Sequence, residues 1–177
     1  IISKSQPSFE RIDVYSAQVD FEKYFNHHQF TLGAKCVYAG IDYISKLYLG
    51  NTTLGGILSE EIDQRDDFNY FEQRYAIYGM YRYTSRSWGV QMGLRNEYTE
   101  WNTQQRVKTQ LHNSRSDNNI FPSFFVKKNM GQGNALSLSY TQSINRPSYQ
   151  MVNPFVFHLS ETSYKEGNPY LKGELLY

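Results

Sequence analysis

Cysteine is almost absent. Cys36 stands alone among 177 residues, which excludes an internal disulfide and a thiolate metal cluster. Long apolar runs are missing as well. No stretch reaches the roughly 18 apolar residues of a membrane helix, so a helical span is excluded. The opening residues, IISKSQPSFE, lack the apolar segment of a secretory signal. Neither sign of charge is in excess: Lys and Arg total 18, Asp and Glu 17. Nothing therefore points to nucleic acid as a partner. The mean hydropathy of -0.64 is low. It leaves a transmembrane barrel open, because such strands alternate lipid-facing and lumen-facing residues and carry polar loops.

Aromatic side chains are abundant. Tyr 16 and Phe 11 lift the aromatic content to 16 %, which favours strands and interfacial girdles over a helical bundle. A period of two recurs along the chain. In Ile12–Phe25, Tyr15, Ala17, Val19 and Phe21 fall on one face, and Ser16, Gln18, Asp20 and Glu22 on the other. Gln29–Gly40, Phe68–Tyr83, Trp88–Thr99, Asn119–Lys128 and Ala135–Ile144 repeat the pattern. Pro122 marks a bulge or strand entry within the fifth of these.

The connections alternate in length. Asn26-His27-His28, Thr84–Ser87 and Asn129–Asn134 are short, whereas Ile41–Asp67, Glu100–Asn118 and the segment after Ile144 are long and polar. Short turns at one end and long loops at the other are the habit of outer-membrane barrels. Tyr15, Tyr38, Tyr70, Tyr83, Trp88 and Tyr98 sit near strand ends, where interfacial belts form. The expected fold is all-β: an antiparallel transmembrane β-barrel segment of about six strands, with short periplasmic turns and long extracellular loops. About eight strands are needed to close the smallest barrels, so this one is incomplete. On this reading residues 1–177 are one part of a barrel domain in a longer polypeptide, with no plug domain.

Chemistry is sparse. His27-His28 are adjacent and cannot close a metal site by themselves; a solvated turn accounts for them. His112 and His158 fall in loops. Ser137 and Ser139 have no paired base or nucleophile elbow, so no catalytic residue, metal site or cofactor is expected. The acidic run Glu60–Asp67 lacks the glycine and spacing of a calcium loop. Asn51-Thr52-Thr53 matches a glycosylation sequon and is uninformative in a bacterial barrel. The polar sets are more informative. Glu72, Arg74, Arg82, Gln91, Arg95 and Glu97 share the polar faces of neighbouring strands and are candidates to line a lumen. The plainer alternative is that they pair with one another across strands.

The stretch Ser143–Leu171 carries Pro147, Pro154 and Pro169, each preceded by Arg or Asn. A residue before proline is biased away from helix, so an ordered non-helical loop is expected. Gly167 can supply a positive φ. Tyr149, Phe155, Phe157, Tyr164 and Tyr170 offer the loop an aromatic core of its own, or contacts to a ligand. Three blocks stand out: Ile144-Asn145-Arg146-Pro147-Ser148-Tyr149, Val152-Asn153-Pro154-Phe155 and Glu166-Gly167-Asn168-Pro169-Tyr170-Leu171-Lys172. Together they resemble the signature of the Bacteroidetes-type TonB-dependent outer-membrane receptors, in the outer-membrane β-barrel family. Weaker resemblance reaches back to about Asp13. The family continues Lys-Pro-Glu where this chain has Lys172-Gly173-Glu174.

The resemblance implies a bacterial outer-membrane location and the barrel portion of a receptor that imports a bulky solute such as a glycan, siderophore or peptide. It implies plug movement rather than chemistry, hence no enzyme. The partners it implies are outer-membrane lipid, a plug domain and TonB through other parts of the polypeptide, and a surface lipoprotein. Arg146 is expected to donate to loop carbonyls around Asn153. Two alternatives stand beside this reading: a non-transporting outer-membrane barrel serving as adhesin or scaffold, and a soluble all-β carbohydrate-binding module.

Overall fold

A computed structural model describes residues 2–5, 7–51, 64–105, 111–153, 157–158 and 162–177. The strands are β1 (Ile2–Ser5), β2 (Ser8–Phe25), β3 (His28–Asn51), β4 (Gln64–Thr84), β5 (Trp88–Gln105), β6 (Leu111–Gly131) and β7 (Asn134–Thr141). They form one antiparallel sheet in which each strand pairs with the next, while β1 and β2 both pair with β3. β1 and β2 are therefore two parts of one crossing. The break falls at Pro7, which has no N–H for the ladder and accepts at its C=O from Lys46 N at 3.2 Å. Seven segments thus make six crossings.

The register confirms the period-two reading. Tyr15 faces Tyr38, Phe21 faces Leu32, Leu32 faces Gly79, Gly79 faces Leu94, and Met92 faces Phe124. All lie on one face, here called outer. Glu72, Arg74, Arg95 and Glu97 lie on the other. The turns are tight because their residues tolerate the needed backbone: Asn26 (φ 50°) joins β2 to β3, and Gly131, Gln132 and Gly133 (φ 83°, 52° and 78°) join β6 to β7. Between β4 and β5, the Ser85 hydroxyl accepts the Trp88 N–H at 3.0 Å.

The strands are much longer than their sequence suggests. β2 to β6 run 18, 24, 21, 18 and 21 residues. Most of the expected loops Ile41–Asp67 and Glu100–Asn118 is paired strand: Tyr43 faces Phe68, and Thr103 faces Asn113. There the apolar residues Ile41, Tyr43, Phe68 and Trp101 turn to the inner face and Asp42, Asn69 and Asn102 to the outer, so the alternation changes phase while the backbone ladder continues.

Pro122 ends a ladder rather than bulging. It lies inside β6 opposite Leu94, and its C=O accepts Gln142 N at 3.2 Å. Proline has no N–H to return, and regular β6–β7 pairing stops at Ser123–Thr141. The strand expected to run to Ile144 therefore breaks at Gln142. Beyond it, β8 (Ser143–Asn145) pairs with β11 (Glu174–Leu176). The described residues between them, 146–153, 157–158 and 162–173, form a strap on the inner face. The strap holds a single helical turn, α1 (Tyr149–Val152), and a two-stranded pair, β9 (Phe157–His158) with β10 (Tyr164–Lys165). The expectation of a wholly non-helical loop is corrected by α1, which occupies the proline-free gap after Pro147.

The core lies under this strap. Val152 packs with Ile41, Phe68 and Tyr70, flanked by Tyr43, Trp101 and Tyr149. Tyr149 packs on the wall and Tyr164 and Tyr170 are exposed, while Phe155 and the Phe157 side chain lie outside the described residues.

Candidate functional site

Two belts bound an apolar band on the outer face. Near the short turns lie Phe25, His28, Phe30, Tyr81, Tyr83 and Trp88, with ring centroids 5.1 Å apart for His28–Tyr83 and for Phe30–Tyr81. Toward the long loops lie Tyr15, Tyr38, Tyr75 and Tyr98, with Tyr15 and Tyr38 at 6.2 Å. About ten residues separate the belts along β2 and β3, roughly 33 Å of strand at about 3.3 Å per residue. At a tilt of about 45° that is close to the roughly 25 Å apolar height of an outer-membrane barrel. Val19 and Ile77, midway between the belts, are 73 % and 72 % exposed. Tyr70, expected in a belt, is instead buried on the inner face: its parity matches Glu72, not Tyr75.

The inner face carries a polar network. Glu97, only 3 % exposed, is gripped by three guanidinium groups. Arg95 donates to Oε2 at 2.5 and 3.0 Å, Arg146 donates to Oε1 at 2.5 Å, and Arg74 Nε lies 3.5 Å from Oε1. Arg74 also donates to Glu72, which accepts from Tyr70 Oη at 2.8 Å. Arg146 reaches Thr99 Oγ1 at 3.2 Å. Three guanidiniums thus meet two carboxylates. The Nε atoms of Arg74 and Arg146 have no hydrogen-bond partner among the described residues.

Four of the six candidate lumen residues, Glu72, Arg74, Arg95 and Glu97, therefore form one cluster. Arg82 and Gln91 do not join it. They pair near the short turns at 3.1 Å, with Gln29 beyond. Between the two groups, Tyr78 donates to Asp20, and the Arg95 guanidinium lies 5.8 Å from the Tyr78 ring centroid. Tyr78 crosses β3 directly over Gly33, where a Cβ would collide with its ring. Alternation alone gives no sign of Thr99, Tyr70 or Tyr78 as partners. A glycine between two polar inner positions is the only hint for Tyr78.

The signature residues tie the strap to the wall. Arg146 spans from strap to Glu97 and does not serve carbonyls around Asn153, because it points at the sheet. The Asn153 carbonyl accepts Gly167 N at 2.9 Å, and Met151 O accepts Asn168 N at 2.7 Å. Gly167 is not in the left-handed region. Glycine is needed there for space: a Cβ would collide with Asn153 O and lie 2.7 Å from Met151 O. Asn168 Oδ1 accepts Tyr170 N at 3.0 Å, and Pro169 O faces Asn113 Nδ2 at 3.5 Å. Pro147 and Pro169 line a small cleft with Trp101 and Arg115, where Arg115 donates to Leu171 O at 3.3 Å. Tyr149 donates to Glu10 at 2.5 Å; burial, then that bond, pushes its phenol above the usual value. Gly173, at the departure from the family pattern, packs on Ile144. Pro154 and Phe155 lie outside the described residues.

An antiparallel sheet that is apolar outside between two aromatic belts and charged inside is the wall of a transmembrane β-barrel. Comparison with known proteins agrees. The family model described as "Outer membrane protein beta-barrel family" matches residues 2–177, and the chain belongs to that family. Its place is the bacterial outer membrane. No curated protein matches the sequence. Among solved structures, the chain is similar to the ferric citrate transporter FecA in the unliganded form, with a TM-score of 0.59 and 16 % identity. That match covers 81 % of this chain and 22 % of the transporter chain.

Proposed function

We propose that this chain is wall and outer loop of a TonB-dependent outer-membrane receptor that imports a bulky solute: a glycan, siderophore or peptide. The observation that carries the reading is the inner face. A charged ladder runs along it from Arg82 to Arg146, and a strap folds inward at the long-loop, extracellular end. Such a wall suits a wide barrel whose lumen holds a moving plug and passes a polar cargo. The ladder would meet the plug or the solute. Plug and TonB contact belong to other parts of the receptor, and a surface lipoprotein is a further partner. The role is transport and not catalysis, and the signature loop serves to hold the strap.

The test is genetic. Deleting the gene in the native host should abolish growth on one solute from a panel of glycans, iron chelates and peptides. Collapsing the inner-membrane gradient in the parent strain should stop uptake of that same solute. Uptake that persists without the gradient, or uptake by residues 1–177 alone, would overturn the proposal.

A further inference from the structure

We infer that the outer face carries a seat for one phospholipid of the periplasmic leaflet, with an acyl chain over Gly79 and the phosphodiester at Lys23, beside the His28–Tyr81 pair. The inference rests on the outer-membrane placement and is independent of transport. Register sets Leu32, Gly79 and Leu94 in one cross-strand row on the outer face. Gly79 adds no side chain, so the row is notched. An open groove of about 400 Å³ runs there, walled by Phe30, Tyr81 and Met92 as well. The Tyr81 hydroxyl at its rim is held at 2.8 Å by His28 Nδ1, and Thr31, which also lines it, has inner-face parity. The groove therefore offers hydrocarbon to hydrocarbon.

The groove reaches the short-turn belt at Phe30 and Tyr81, where the outer-face charge has one sign. Lys23 is exposed there, opposite Phe30 of the groove wall; farther round the belt Lys128 is exposed too, its Nζ 5.1 Å from the Trp88 ring centroid. No carboxylate shares that part of the outer face among the described residues. The nearest, Glu22, points to the inner face and accepts from Tyr24 at 2.7 Å. Beyond the upper belt the outer face is acidic instead, with Asp13, Asp42 and Glu100. Adjacent strands lie about 4.8 Å apart, so Lys23 on β2, in the row of Phe30 and Tyr81, lies roughly 10 Å across the sheet from β4. Long lysine arms reach inward over such a distance to a headgroup. Short turns mark the periplasmic side, whose leaflet supplies phospholipid.

The test uses the full-length protein, purified in mild detergent and checked for a heat-dependent shift on gels. Phosphatidylglycerol is titrated in, and bound lipid is counted by native mass spectrometry. One lipid should bind ahead of the rest. Gly79→Leu, which fills the notch, should weaken that first binding at least tenfold. Lys23→Glu should weaken it severalfold. Equal first binding in parent and both variants would overturn the inference, as would displacement of the lipid by lipid A. If Gly79→Leu loses its heat shift, the charge variant decides alone: severalfold weaker binding supports the seat, and unchanged binding overturns it.

Discussion

Below the line of Tyr15, Tyr38, Tyr75 and Tyr98 the sheet is apolar outside and polar inside. Above it the arrangement inverts. Asp13, Asp42, Gln73, Glu100 and Asn102 face outward, while Ile41, Phe68, Tyr70 and Trp101 face inward under the strap. The same six crossings thus serve two solvents. The lower half puts hydrocarbon against lipid and leaves a wet lumen. The upper half stands in water on its outer face and buries its apolar side chains against Val152 and Tyr149, as a soluble protein does. The low mean hydropathy follows, because only part of each strand meets lipid.

This contrast can be broken at its hinge. Glu97 binds strap to wall, and removing a buried carboxylate from among three arginines is expected to cost about 3–5 kcal/mol. Glu97→Ala should therefore free the strap, seen as rapid amide exchange at 149–153 with the lower strands still protected. The contrast is sharpened by placing one charge in each half. Ile77→Arg, between the belts, should destabilise the barrel by about 2–4 kcal/mol in lipid-based unfolding. Asn102→Arg, on the same face above them, should change it by less than about 0.5 kcal/mol. Gly167→Ala should act on the upper half alone. Its Cβ meets backbone that cannot yield, an overpacking of about 1–3 kcal/mol, read as protease cleavage within the strap.

The lower half was the legible half. In Tyr15–Phe21 and Trp88–Tyr98, one face meets lipid and the other water, so composition alternates and the period shows. The short turns were visible for the same reason. The upper half reads as loop from its sequence. Around Asp42, Asn69 and Asn102 the polar face turns outward and the apolar one inward under the strap, and such a reversal of phase breaks the period that marks a strand. Tyr70 was misplaced because its parity, not its distance from a strand end, decides its face. Among the site residues, alternation put Glu72, Arg74, Arg95 and Glu97 on one side. The partner of Arg146 lies 49 residues away, and no local pattern encodes that contact. The role of Gly167 is likewise a matter of tertiary space.

The central claim is that this chain is one stretch of the wall of a large closed barrel. An antibody raised to Glu161–Leu171, applied to outer-membrane fractions of the native cell with and without boiling, tests it directly. The account predicts a band several times larger than the 20.8 kDa of this chain, shifting on heating. A band near that mass in the soluble fraction would contradict it.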